Sequence, residues 1–80
     1  MPKSGWSIQV ASYDTVADAD ARVKQLKARG LTAYRVGALI RGRQWYRVRI
    51  GGFEDKAAAE TSRLKLQGEL GGGLLLAEAP

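Results

Sequence analysis

Two stretches of the chain alternate between apolar and polar residues with the two-residue period of a β-strand. In Trp6–Ser12, the residues Trp6, Ile8 and Val10 fall on one face and Ser7, Gln9 and Ala11 on the other. In Gln44–Ile50, Tyr46, Val48 and Ile50 oppose Trp45, Arg47 and Arg49. Between these strands the period changes to that of a helix. Val16, Ala19, Val23 and Leu26 recur at spacings of 3, 4 and 3, which makes a single apolar stripe. Thr15-Val16-Ala17-Asp18 resembles a capping box with Asp in place of Glu, so a helix is predicted to start near Thr15 and to end at Gly30. Leu31–Ile40 reads as a second strand, joined to the third by a hairpin turn around Arg41-Gly42-Arg43. A second helix is predicted from about Asp55, its cap, to Leu70. Gly71-Gly72-Gly73 then serves as a flexible turn before a last strand, Leu74–Ala77.

The order βαββαβ is supported by a degenerate internal repeat at an offset of 40 residues. Ile8-Gln9-Val10-Ala11-Ser12-Tyr13-Asp14 aligns with Val48-Arg49-Ile50-Gly51-Gly52-Phe53-Glu54, and Ala17, Ala19 and Leu26 align with Ala57, Ala59 and Leu66. Two copies of strand–turn–helix are too few for a solenoid. They predict an α+β, ferredoxin-like fold, with a four-stranded antiparallel sheet in the order 4-1-3-2 and both helices on one face. Residues 5–78 are expected to form this single domain, with residues 1–4 a disordered N-terminal stretch or remnant outside it.

Covering one sheet face with helices leaves the other open to solvent. The pleat assigns Ile8, Val10, Tyr46, Val48 and Ile50 to the covered face. Ser7, Gln9, Ala11, Trp45, Arg47 and Arg49 are expected on the open one. The first and third strands are central neighbours in this topology, which predicts Gln9 close to Arg47. An exposed Trp beside two Arg and a Gln on a flat sheet is the composition of a binding surface.

Composition narrows what that surface does. The 80 residues contain neither Cys nor His, which excludes disulfides, thiolate zinc sites, cysteine nucleophiles and His-dependent triads. The acidic residues fall largely at predicted helix starts, where they complement the helix dipole, so no carboxylate pair is set up for acid–base catalysis. The glycine triplet precedes a strand, which is not the setting of a phosphate loop. No enzymatic activity, metal or cofactor is expected. No apolar run approaches the roughly 18 residues of a membrane span, and Met1-Pro2-Lys3-Ser4 does not read as a signal peptide; a soluble piece of a longer exported protein fits both. The net charge is +5, and Ala21–Phe53 carries nine Lys and Arg and no acid. Lys24, Lys27 and Arg29 suit a helix C-terminus. The strand arginines instead favour an anionic partner: nucleic acid, acidic glycan or a membrane surface.

Two non-catalytic readings follow. RNA-recognition motifs share the βαββαβ order and stack single-stranded bases on sheet aromatics. Arg41-Gly42 followed by Trp45-Tyr46 is similar to the start of their third-strand signature, but Arg47 stands where an aromatic is needed and the first strand offers Ser7 and Gln9 in place of a ring.

The second reading covers nearly the whole chain. Trp6-Ser7-Ile8-Gln9-Val10-Ala11-Ser12-Tyr13 resembles the opening of SPOR (sporulation-related) domains, aromatic-x-V-Q-V-G-S-F. Ala19, Leu26 and Gly30 resemble that family's first helix, with Arg22 where Leu is usual. Tyr46-Arg47-Val48-Arg49-Ile50-Gly51-Gly52-Phe53 resembles its second signature, Y-R-V-x-V-G-P-F, with Gly52 in place of Pro. The resemblance implies a non-catalytic peptidoglycan-binding module on the periplasmic or cell-wall side of the bacterial envelope. It also implies recognition of glycan strands stripped of stem peptides, as found at the division septum. Gln9 and Ser12 match the family's polar contacts on the first strand, Arg47 its third-strand arginine, and Trp45 a binding tryptophan of some members. Arg49 and Ser7 join them as glycan-binding candidates from the open face. The expected partner is therefore the glycan strand, with no metal and no specific nucleic acid. The domain is expected to be a monomer, in a parent protein that can be membrane-anchored.

Overall fold

A computed structural model describes residues 5–71 and 73–78 of the chain. The elements run β1 (Trp6–Tyr13), α1 (Val16–Ala28), β2 (Ala33–Ile40), β3 (Arg43–Phe53), α2 (Lys56–Leu70) and β4 (Leu75–Glu78). The strands form one antiparallel sheet in the order β2-β3-β1-β4, which is the expected 4-1-3-2 read from the other edge. The expectations for residues 1–4 and for Gly72 fall outside the described residues.

Local chemistry explains the element ends. Thr15 is the N-cap of α1, its hydroxyl accepting from the Asp18 amide at 3.2 Å. Asp55 caps α2, accepting from the Ala58 amide at 2.8 Å. Gly30, just past the C-cap of α1, takes φ +84°, a conformation that L side chains rarely adopt. The β2–β3 hairpin turns through Arg41 and Gly42, both at positive φ (53° and 78°), a two-residue turn whose twist matches its strands.

Both helices pack on the same sheet face. Ala19 and Leu26 of α1 and Leu66 of α2 join Ile8, Ala33, Val48, Ile50 and Leu74 in one buried cluster, with Val10, Val23, Tyr46 and Leu76 packed against it. The repeat is visible in this core: the matched pairs Ala19/Ala59 and Leu26/Leu66 are all buried. Val16, expected at the head of the α1 stripe, is instead 37% exposed and stands outside the buried cluster.

The register of β1 departs from simple alternation. Ile8 pairs with Ile50 and Gln9 with Arg49, but the next partner of β3 is Ala11, opposite Val48. Val10 is thus an extra residue in β1, a bulge, and it shifts every later side chain by one face. Ala11 moves to the helix-covered side with Val48, contrary to the alternation reading. Ser12 takes the open-face place opposite Arg47.

Candidate functional site

The helix-free face is a grid of transverse rows fixed by the pairing register. One row runs Tyr34–Arg49–Gln9–Leu75 across all four strands. The next is Val36–Arg47–Ser12, followed by Ala38–Trp45 and Ile40–Arg43. At the other end stand Gly51, Ser7 and Ala77. Along β3, alternate residues from Arg43 to Arg49 span roughly 20 Å at the usual strand rise. The face therefore carries one line of guanidinium groups and an indole, flanked on one side by Gln9 and Ser12 and on the other by apolar β2 side chains.

Gln9, Ser12, Trp45, Arg47 and Arg49, the sequence candidates, come together on this face. Gln9 lies directly opposite Arg49 and diagonal to Arg47, and Ser12 is directly opposite Arg47. Ser12 is exposed, while Gln9, Arg47 and Arg49 are half-buried. Two expectations need correction. Ser7 is on the open side of the pleat but only 1% exposed; its hydroxyl donates to the Ala77 carbonyl at 3.2 Å, and the Tyr34 ring reaches across Gly51 toward it. Its side chain therefore lies beneath the accessible surface of that face. Trp45, expected to be mostly exposed, is half-buried, and the Arg43 guanidinium lies 4.9 Å from its ring centroid. On a flat sheet, a same-strand neighbour two residues away projects from the same face and shields the indole.

Charge on the face is one-sided. Arg35 pairs with Asp20 at 2.6 Å, Arg43 with Asp14 at 3.0 Å, and Arg29 with Glu69 at 3.7 Å. These pairs account for several cations of the acid-free middle segment. Arg47 and Arg49 form no ion pair among the described residues. The Nε of Arg49 is moreover buried with no hydrogen-bond acceptor. A buried donor left unmatched costs about 1–3 kcal/mol. Two uncompensated guanidinium groups side by side favour an anion arriving from outside.

Elsewhere the chemistry is sparse. On α2, Arg63 donates to both Glu60 carboxylate oxygens at 2.7 and 2.6 Å, and this hydrogen bonding holds the Glu60 carboxyl below its ordinary range and raises Arg63. That pair is on a helix, remote from the open face. A cleft of about 510 Å³ lies on the helix side of the sheet, lined by Arg29, Thr32, Ser62, Lys65 and Glu69 among others. Its Arg29 is already matched by Glu69. Among the described residues no group of three or more His, Cys, Asp or Glu side chains could hold a metal, and no helix is long and apolar enough to cross a membrane.

Sequence reasoning missed Tyr34, Val36, Ala38, Ile40 and Leu75 on this face. The alternation of β2 points the other way, since Tyr34, Val36, Ala38 and Ile40 are its apolar set and would be read as the covered side; only their pairing with Arg49, Arg47, Trp45 and Arg43 puts them on the open face. Leu75 carried a weaker signal, because Leu74-Leu75-Leu76 is apolar throughout and gives no phase.

The SPOR domain family matches residues 2–74. The chain belongs to the SPOR domain family. It is accordingly a peptidoglycan-binding module, of a family of binding domains that is generally non-catalytic and is associated with the bacterial cell envelope. Searches of curated proteins and of solved structures find no match. The two signature segments of this SPOR domain contribute β1 and β3, the central strands, and both signatures deliver polar side chains to the helix-free face.

Proposed function

We propose that this SPOR domain recognises glycan strands stripped of their stem peptides through the open face, and so directs its parent protein to the division septum or to other wall sites where such strands occur. The observation that carries this reading is the pairing of Gln9 and Ser12 with two arginines that lack acidic partners among the described residues. Removing a stem peptide frees the lactyl carboxylate of each muramic acid residue, so a denuded strand is a regularly charged polyanion. A guanidinium fork holds a carboxylate bidentately. Gln9 and Ser12 supply donors and acceptors for hydroxyl and N-acetyl groups, and the exposed part of Trp45 gives a pyranose an apolar surface. A strand bearing stem peptides offers amides where the carboxylates would be and is too bulky to lie on a flat sheet. The domain acts on the periplasmic or cell-wall side, as a monomer, without catalysis, metal or cofactor.

The experiment is co-sedimentation with sacculi before and after amidase digestion, beside a gel shift with single-stranded RNA. Retention should rise sharply on amidase-treated sacculi. Tight RNA binding at physiological salt, with no glycan binding, would assign the face to nucleic acid.

A further inference from the structure

The open face is not flat from end to end. Gly51 is the one residue of the Gly51–Ser7–Ala77 row that lies beside Tyr34's strand, and a Cβ placed on it would stand 3.1 Å from the Tyr34 hydroxyl oxygen, 3.3 Å from Cε1 of the ring and 3.1 Å from the Ser7 Cβ. The Tyr34 ring thus fills the space a side chain at position 51 would take, next to Ser7, which is only 1% exposed. Tyr34 starts from the position directly opposite Arg49, and its ring reaches to the Gly51 position two residues further along β3. Gln9 flanks Arg49 on the other side. Between these two neighbours the Arg49 Nε is buried without an acceptor.

We infer that Tyr34 is a positioning residue that determines how Arg49 meets a carboxylate: seated on Gly51, its ring covers the Nε edge of the guanidinium and leaves only the two terminal nitrogens to the ligand. A guanidinium can grip a carboxylate side-on, through Nε and one Nη, or end-on, through both Nη groups. The buried Nε closes the first route. End-on contact demands that the carboxylate stand above the sheet, which suits a lactyl group projecting from a sugar ring laid along β3. The same ring forms a raised wall at the Gly51 end of the face, beyond Arg49. The inference rests on the carboxylate-reading role proposed above for the face.

The test is a double-mutant cycle on affinity for denuded glycan strands, prepared from sacculi with amidase, using Tyr34→Ala, Arg49→Ala and the pair. Tyr34→Ala should weaken binding by about tenfold, the size expected for one charge-assisted contact. It should add little in the Arg49→Ala background, because both changes remove the same interaction. Both single variants should flatten the salt dependence alike. Both effects should vanish on the same glycan with its carboxylates amidated, a readout that general loosening of the sheet would not produce. Tyr34→Phe should bind like the unaltered domain, since the ring is the wall. Gly51→Ala, which must push the ring outward by a few tenths of an ångström, should weaken binding in the same direction and by less. If Tyr34→Ala unfolds the domain, Gly51→Ala and Tyr34→Phe carry the test. Full additivity of the two losses, or an undiminished Tyr34→Ala effect on amidated glycan, would overturn the role of Tyr34 alone. Failure of the unaltered domain to bind denuded glycan would overturn the reading of the face itself.

Discussion

The two halves of the molecule, β1–α1 and β3–α2, are built on one plan and differ on the open face. Gln9 and Arg49, equivalent residues of the two repeats, pair directly with each other at the sheet centre. Around that point the scaffold is duplicated: Ile8 and Val48, Ala19 and Ala59, Leu26 and Leu66 are all buried, and Thr15 and Asp55 cap the two helices in the same way. The open face is not duplicated. The first half supplies neutral hydrogen-bonding groups, Gln9 and Ser12, while the second supplies Arg43, Trp45, Arg47 and Arg49. Even the irregularities differ, with the bulge of β1 at Val10 and a register shift of β3 at Gly52. Packing keeps the halves alike because each helix must fill the same space. The face is free of that constraint, and the two halves differ there, one presenting neutral groups and the other charge.

Breaking the duplicated part should unfold the domain without favouring either half. Leu26→Ala and Leu66→Ala should each cost about 2–5 kcal/mol in urea unfolding, as buried leucine truncations do. That is a large share of the roughly 0.05–0.15 kcal/mol per residue of a typical domain. Unequal losses would show that one helix carries the core. Breaking the divided part should spare the fold. Trp45→Ala should cost about 2 kcal/mol of glycan binding, measured by titration with denuded strands. Because the ring is half-buried, some stability should be lost with it, unlike at a fully exposed site. Arg47→Ala should weaken binding and flatten its salt dependence, whereas Gln9→Ala should weaken binding and leave the salt dependence unchanged. That contrast sharpens the division between the halves.

Smaller effects probe the scaffold again. Thr15→Ala and Asp55→Ala should each lower stability by about 1 kcal/mol, the ordinary value of an N-cap, with glycan affinity unaltered. The Glu60–Arg63 pair is present only in the second half. Because hydrogen bonding lowers the folded-state pKa of Glu60, its contribution is complete above the carboxyl's unfolded-state pKa and is lost as pH falls through the lower folded value. Glu60→Gln should therefore reduce the acid-side dependence of unfolding slightly, as read from urea melts across that range.

The sequence carried the scaffold more fully than the site, for physical reasons. Strand and helix periods, caps and the hairpin turn are local signals, and the 40-residue repeat tied them into one topology. Sheet faces are less local. A single extra residue, Val10, inverts the side of everything after it, so alternation placed Ala11 on the open face, and only the family resemblance pointed to Ser12. Burial was harder still. Ser7 has the right parity but is 1% exposed, beside a Gly51 whose missing side chain leaves room for the Tyr34 ring, a relation among three strands that no single strand's pattern contains. The shielding of Trp45 by Arg43 has the same character: the two residues are close in sequence, but Asp14 after β1 holds the arginine there.

The most direct measurement is a titration of isotopically labelled domain with denuded glycan strands, followed by NMR. Shifts should concentrate at the amides of Gln9 and Ser12, along Trp45–Arg49 and at the Trp45 indole N–H. Leu26, Leu66 and the helix-side cleft around Thr32 and Lys65 should stay unperturbed. Shifts confined to that cleft, with the β3 arginines silent, would contradict the assignment of glycan binding to the open face.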